Sequence, residues 1–439
     1  MAGATESSVS NRKNYFLVHL TNLFRYLIVT SNPNEVVLCV SQLVQRTERL
    51  TIIFQVLRNG LDQNDFINVN TFGYRRYNWL DWIIGIVSLI NGLRCIVLIC
   101  TSSEAVTIIL GDPLFRFKDR QICITVSFIV LLALIIFREW ILTLEAKGSL
   151  EILSIWKYCG KDFNPVYLQM NEVNINRFRL TVILVSLVVY FTMLVVPVFL
   201  SVGFFTPLLT NPWMYKTHGL VIYCFLWSLS DIFIASFLTN ATLGFTWYLL
   251  CTLSLHLYRL TDLLDRAGHL KKSTKGAFNQ RDIELLSLLI IHRINSFELT
   301  ASRLRYVLFY YVFVSASSGD LYIFLGLVVR IYNDFLANLV AMIGVFILPS
   351  IGVFGLIFGK SASELDKLTV ILHNLTLNNR LSLNMLNKIW EVMERVDGPY
   401  NGIKIGDFFT LEKSFFIFFI LENISTLMLF TVNIGPLLN

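Results

Sequence analysis

The sequence predicts an all-α membrane protein, a bundle of seven transmembrane helices with a cytoplasmic N-terminus and an extracellular C-terminus. Three observations predict it. Seven apolar stretches are each long enough to cross a bilayer. Charged residues make up 15% of the 439 residues while hydrophobic ones make up 55%, against about 25% charged in an ordinary soluble domain. Lys and Arg also alternate between rich and poor connecting segments along the chain. A soluble enzyme of this length is excluded by the first two.

The opening residues, MAGATESSVSNRKNYF, lack an apolar run followed by a small-residue cleavage site, so no signal peptide is expected. Residues 14–30 are apolar but short, and Arg25 interrupts them. They suit an interfacial or packed helix better than a span of about 20 residues. Residues 1–78 are therefore expected to form cytoplasmic or interfacial helices. The spans are expected at 79–100, 121–143, 180–205, 219–258, 306–329, 335–358 and 414–434.

The fourth stretch has no Lys or Arg between Leu220 and Tyr258, and as one helix it would measure about 60 Å, twice a hydrocarbon core. Basic residues decide whether it is one helix or two. Residues 1–78, 144–179, 256–304 and 359–409 hold 27 Lys and Arg together, whereas the alternate segments 101–120, 204–217, 330–334 and the tail after 434 hold 5. Cytoplasmic segments are the enriched ones. One long helix running into the cytoplasm keeps this alternation, and splitting it destroys it. The orientation is the reverse of a G-protein-coupled receptor. The sequons at Asn240, Asn374 and Asn423 all fall in predicted membrane or cytoplasm, where they are not glycosylated.

Apolar residues at mixed three and four spacing extend helices into the cytoplasm over 249–268, 283–304 and 361–397, for example Leu286, Ile290, Ile294 and Phe297. They are expected to form a collar, with residues 359–409 as an anchor region leading directly into a last span within 410–439. The polar residues 269–282 read as a linker. Seven scattered cysteines, with no CxxC pair, read as apolar fillers.

The last span carries a recognisable pattern. Thr426 is followed by Leu427, five hydrophobic residues from Met428 to Val432, then Asn433 and Ile434, and just upstream lies GDFFTLEKSFF at 406–416. This resembles the end of insect gustatory receptors, where Thr-Tyr, five hydrophobic residues and Gln-Phe follow a Gly-x-Phe-x-x-Leu lead-in shared with odorant receptors. Leu427 and Asn433 stand in the Tyr and Gln places. The run FTWYLLCTLSLHLYRLTDLL at 245–264, with Trp247 and the Tyr258-Arg259 step, is similar to the long fourth helix of that family. The resemblance implies a ligand-gated cation channel of the plasma membrane. It implies a tetramer, homomeric or heteromeric, whose last helices line one pore, and a ligand pocket open to the outside among helices two to six. The odorant branch is the alternative within the superfamily. A G-protein-coupled receptor and a secondary transporter are the alternatives outside it, although the two related halves common in transporters are missing from the sequence.

Polar residues within spans are the candidate functional groups, since a carboxylate there faces a bundle interior or water. On the last helix Phe418, Glu422, Thr426, Leu429 and Asn433, with Phe415, fall in a stripe less than about 90° wide, and Ile434 takes the family's outer constriction with Asn433. Glu422 repeated around an axis attracts permeant cations; its alternative is a buried, paired carboxyl. Asp231 and Asp320 lie at similar depth on the fourth and fifth spans. With Ser127, Thr192, Tyr223, Trp227, Ser317, Tyr322 and Asn338 they give the aromatic and hydrogen-bonding mix of a small-molecule site, one suited to a sugar or other polar tastant. Interhelical hydrogen bonding is the competing account of each. Asp81, Asn91, Arg94, Arg138 and Glu139 are further polar residues within or at the ends of spans. No enzyme, cofactor, metal or nucleic-acid role is expected. His19, His218, His256, His269, His292 and His373 contain no i, i+4 pair, and the glycines of 352–359 lie inside a span rather than after a strand.

Overall fold

The computed structural model of the chain describes residues 33–54, 79–117, 120–147, 168, 170–217, 219–273, 280–378, 381–398 and 402–433. Among them, seven helices are long and apolar enough to cross a membrane, and the chain is a multi-pass membrane protein. Helix α1 (Pro33–Ile53) precedes the first span, α2 (Trp79–Cys100). A short α3 (Glu104–Ile109) then leads into α4 (Arg120–Ala146). Helix α5 (Glu172–Thr210), the turn α6 (Pro212–Lys216) and α7 (Leu220–Ser273) follow. Helix α8 (Gln280–Ile323) ends in a π-helical turn (Phe324–Val329), and α9 (Asp334–Phe358) is the sixth span. Helices α10 (Lys360–Asn378) and α11 (Leu383–Val396), strands β1 (Lys404–Ile405) and β2 (Phe409–Thr410), and the last span α12 (Phe415–Asn433) complete the chain.

The undivided fourth stretch is one helix of 54 residues, about 80 Å at 1.5 Å per residue. It packs most extensively along α5, and beyond the spans it continues against α10. The main core gathers on it. Phe245, Trp247, Tyr248 and Leu249 are fully buried. The Trp247 indole donates to Ser186 Oγ on α5 at 2.8 Å, and the Tyr248 hydroxyl lies 3.3 Å from Thr51 Oγ1 on α1. These polar tips are satisfied inside an apolar core, which fixes how α1, α5 and α7 register.

Four expectations about the collar change. The stretches read separately at 283–304 and 306–329 are one continuous α8, because no helix breaker stands between them. The stretch read as one helix over 361–397 is two, α10 and α11, with Ser382 at the N-cap of the second. The linker read over 269–282 is helical at both ends, since α7 runs to Ser273 and α8 starts at Gln280. The anchor also does not run straight into the last span, because the antiparallel pair β1–β2 intervenes. Its turn explains the Gly-x-Phe-x-x-Leu pattern. Gly406 sits at φ 62°, a conformation glycine adopts freely. Its N–H donates to the Arg305 carbonyl of α8 at 2.9 Å, and Leu411, fully buried, closes the pair through its N–H to Ile403. Asp407 accepts from Arg305 at 2.8 Å and from the Tyr306 hydroxyl at 2.9 Å, so the hairpin that precedes α12 is clamped to α8.

Candidate functional site

The last span is the least covered. Only 11% of its apolar window is buried, against 17% to 33% for the other six. Its docked face is made of aromatic rings. Phe415 stacks on Phe419 at 5.6 Å, and Phe430 meets Phe324 of the π-helical turn at 5.7 Å. The glycines of 352–359 receive it. A Cβ on Gly355 would lie 2.2 Å from Phe415, and one on Gly352 would lie 2.8 Å from Phe416. A run that is useless as a phosphate loop is thus a socket for the start of α12. The predicted stripe is corrected at one position, because Phe415 turns inward to this socket instead of sharing the open face. Among the predicted pore residues, Phe418, Glu422, Leu429 and Asn433 are exposed and Thr426 is half-buried, its hydroxyl donating back to the Glu422 carbonyl at 3.0 Å. Ile434 lies outside the described residues.

The polar residues of the spans form two separate constructions. At one end of the bundle Arg94 is 5% exposed and fully engaged. It donates from Nη1 to Asp231 at 2.7 Å, from Nε to the Leu110 carbonyl and from Nη2 to the Gly111 carbonyl, both at 2.8 Å. Its guanidinium also lies 4.7 Å from the Trp227 ring centre. Gly111 makes this possible, since at φ 59° a Cβ there would come within 2.6 Å of the Tyr223 backbone. Asn91 adds a 2.8 Å bond to Ser230. The Asp231 carboxylate that the sequence offered to a ligand is therefore held by Arg94, and the signal was the Arg in the facing span. At the other end Arg138 donates to Asp81 at 2.8 Å and to Glu139 at 2.7 Å.

Asp320 is different. It is 3% exposed, and its Oδ1 is buried with no hydrogen-bond partner among the described residues. It sits one turn before the π-helical segment, on the helix whose Gly319 carbonyl approaches Gly344 of α9 so closely that a Cβ would lie 2.5 Å from it. Among the described residues no hydrogen bond or ion pair joins Asp320 to Asp231. Trp227 and Tyr322 are half-buried, as are Thr192 and Ser317, whereas Ser127, Tyr223 and Asn338 are exposed. Thr192 donates to its own helix at Val188, and the Trp227 indole reaches the Ile109 carbonyl at 3.4 Å. A cavity of about 360 Å³ opens between α2 and α4 and is lined by none of the predicted ligand residues.

Fold and site define a class: a seven-helix membrane protein whose long helices continue into a helical collar and whose last helix stands nearly bare beside the bundle. Within it the chain is similar in structure to the insect olfactory receptor OR5 from Machilis hrabei. Over 90% of this chain and 100% of that one, the complex of that receptor with eugenol gives a TM-score of 0.58 at 11% sequence identity. A second structure of that receptor gives 0.54 at 13%, over 88% of this chain and 97% of that one. At these identities the likeness is one of fold. No family model matches the chain, and no curated protein matches it.

Proposed function

We propose that this chain is a subunit of a ligand-gated cation channel of the plasma membrane, opened by a small organic molecule, and that four copies contribute α12 to a common pore. The observation that carries the reading is the uncovered last span. An apolar helix with only Phe419 and Asn423 buried and a carboxylate, Glu422, on its open side is incomplete as a monomer. Lipid covers an apolar face, but a charged group at membrane depth needs water or a partner. A symmetric ring of α12 helices supplies both, placing Glu422 where acidic rings select cations. Phe418, Thr426, Leu429, Asn433 and Ile434 are the remaining pore and gate residues of this reading.

The similarity to a receptor solved with eugenol supports a small-molecule pocket in the α4–α9 bundle. Asp320, with Tyr322, Ser317 and Trp227 in support, is the group we assign to it, and Asp231 has the lesser part because Arg94 holds it. Residues 79–358 are in this reading the ligand-binding bundle, 359–409 the cytoplasmic anchor and 410–439 the pore helix, with 1–78 cytoplasmic or interfacial. The stimulus is a tastant of polar character in the gustatory reading. The odorant reading fits the fold equally well and takes a volatile instead. Current recorded from cells expressing this chain alone, with G proteins blocked, tests the proposal. Ligand-evoked cation current that persists supports it, and a response abolished by the block, or substrate uptake without current, overturns it.

A further inference from the structure

The cavity between α2 and α4 belongs to neither construction of the proposed channel. Gly85, Ser88, Gly92 and Ile96 follow one another at three and four spacing, so they share one face of α2, and Phe128 and Ile135 of α4 face them across about 360 Å³. Glycine creates the space. A Cβ at Gly85 would meet nothing within 4 Å, and one at Gly92 would reach only Phe128, at 3.8 Å. The groove is flanked by Leu89 and Leu93, 63% and 53% exposed, so it opens sideways on the apolar exterior of a membrane protein. Its volume falls in the lower part of the range of small-ligand sites, about 300 to 1,000 Å³.

Two polar features lie along this apolar slot. The Ser88 hydroxyl is buried, in a residue 6% exposed, and has no hydrogen-bond partner among the described residues. An unmade hydrogen bond of a buried hydroxyl is costly, and a ligand hydroxyl entering the slot would complete it. At one end of the slot stand Arg138 and Glu139. Arg138 bridges Asp81 and Glu139, and the Glu139 carboxylate, an acceptor only, suits a hydrogen-bond donor at this end better than a second anion.

We infer that the α2–α4 groove binds a neutral, hydroxyl-bearing lipophile that enters from the bilayer, its apolar body along Gly85 and Gly92 and its hydroxyl at Ser88. The site is independent of the channel reading and of the pocket assigned around Asp320.

The test uses the full chain in phosphatidylcholine nanodiscs with a photoreactive decanol carrying a diazirine in its chain, and maps the labelled peptides by mass spectrometry. Labelling is expected within 84–96 and 128–139, displaced by unlabelled decanol and less well by decanoic acid. Gly85→Leu places a side chain in open space and should remove labelling from both segments while other lipid-facing labels persist. Ser88→Ala, the milder change, should cut the preference for decanol over decane by about 2- to 10-fold, the worth of one neutral hydrogen bond. Labelling spread evenly over all spans, labelling unchanged by Gly85→Leu, or both segments shielded by a second copy of the chain each overturns the site. Stronger displacement by decanoic acid than by decanol, or a decanol preference unmoved by Ser88→Ala, overturns the head-group assignment.

Discussion

Asp231 and Asp320 read alike in the sequence, as carboxylates at similar depth in neighbouring spans, yet their surroundings give them different work. Asp231 accepts from Arg94 at 2.7 Å, and removing one partner of a buried pair strands the other charge at a cost of about 3 to 5 kcal/mol. Asp231→Ala is therefore expected to lower the thermal midpoint of the purified protein, and Arg94→Met with Asp231→Leu to restore much of it. A double variant as unstable as the single one would show that the pair is not what matters there. Among the described residues Asp320 has a buried Oδ1 without a partner, an arrangement that costs stability and that a ligand in the proposed pocket would complete. Asp320→Ala should leave surface expression intact and raise the half-maximal ligand concentration by about ten- to a hundredfold, one charged hydrogen bond of about 1.5 to 3 kcal/mol. Surface-expressed Asp320→Ala protein responding at unchanged concentration would return Asp320 to packing. The difference between the two acids was not legible from spacing, because it depends on which facing helix presents an Arg.

Elements were legible where a periodic apolar run has no competing partner. The single long α7, the positions of the seven spans and the lead-in at Gly406 follow from patterns in the chain. The break between α10 and α11 and the β1–β2 pair did not, because short polar turns carry weak local signals. The role of Gly352 and Gly355 was also hidden, since a glycine in a span says that something approaches closely but not what. The structure supplies the answer in Phe415 and Phe416. Gly355→Val would drive a branched side chain into the Phe415 ring, and overpacking of this kind costs about 1 to 3 kcal/mol. The expected outcome is a protein with a lower thermal midpoint and, on the channel proposal, altered gating, whereas the same change at Gly85, where a Cβ meets open space, should be tolerated. On the open side of α12, Glu422→Gln is expected to reduce the preference for divalent over monovalent cations, read from reversal potentials, without abolishing the ligand response. Unchanged selectivity would place Glu422 away from the ion path.

For the whole molecule direction is set by charge, because a helix bundle reads the same from either side of a membrane and only the charge on its ends distinguishes them. The collar end holds α10, α11 and the hairpin, together with the extensions of α7 and α8, and the segments that build it are among those rich in Lys and Arg. The opposite end, where Arg94 gathers the carbonyls of Leu110 and Gly111, belongs to segments with few basic residues. Lys and Arg are retained on the cytoplasmic side during insertion, so an excess of 27 against 5 predicts the collar inside. An odd number of spans then puts the two termini on opposite sides. An epitope placed after Asn439 should be stained by antibody on intact cells, and one placed before Met1 should be stained only after permeabilisation. The reverse pattern would turn the collar outward and leave the pore reading of α12 without its cytoplasmic anchor. Staining of both epitopes on intact cells would mean an even number of crossings, and the undivided α7 would be the first assignment to fall.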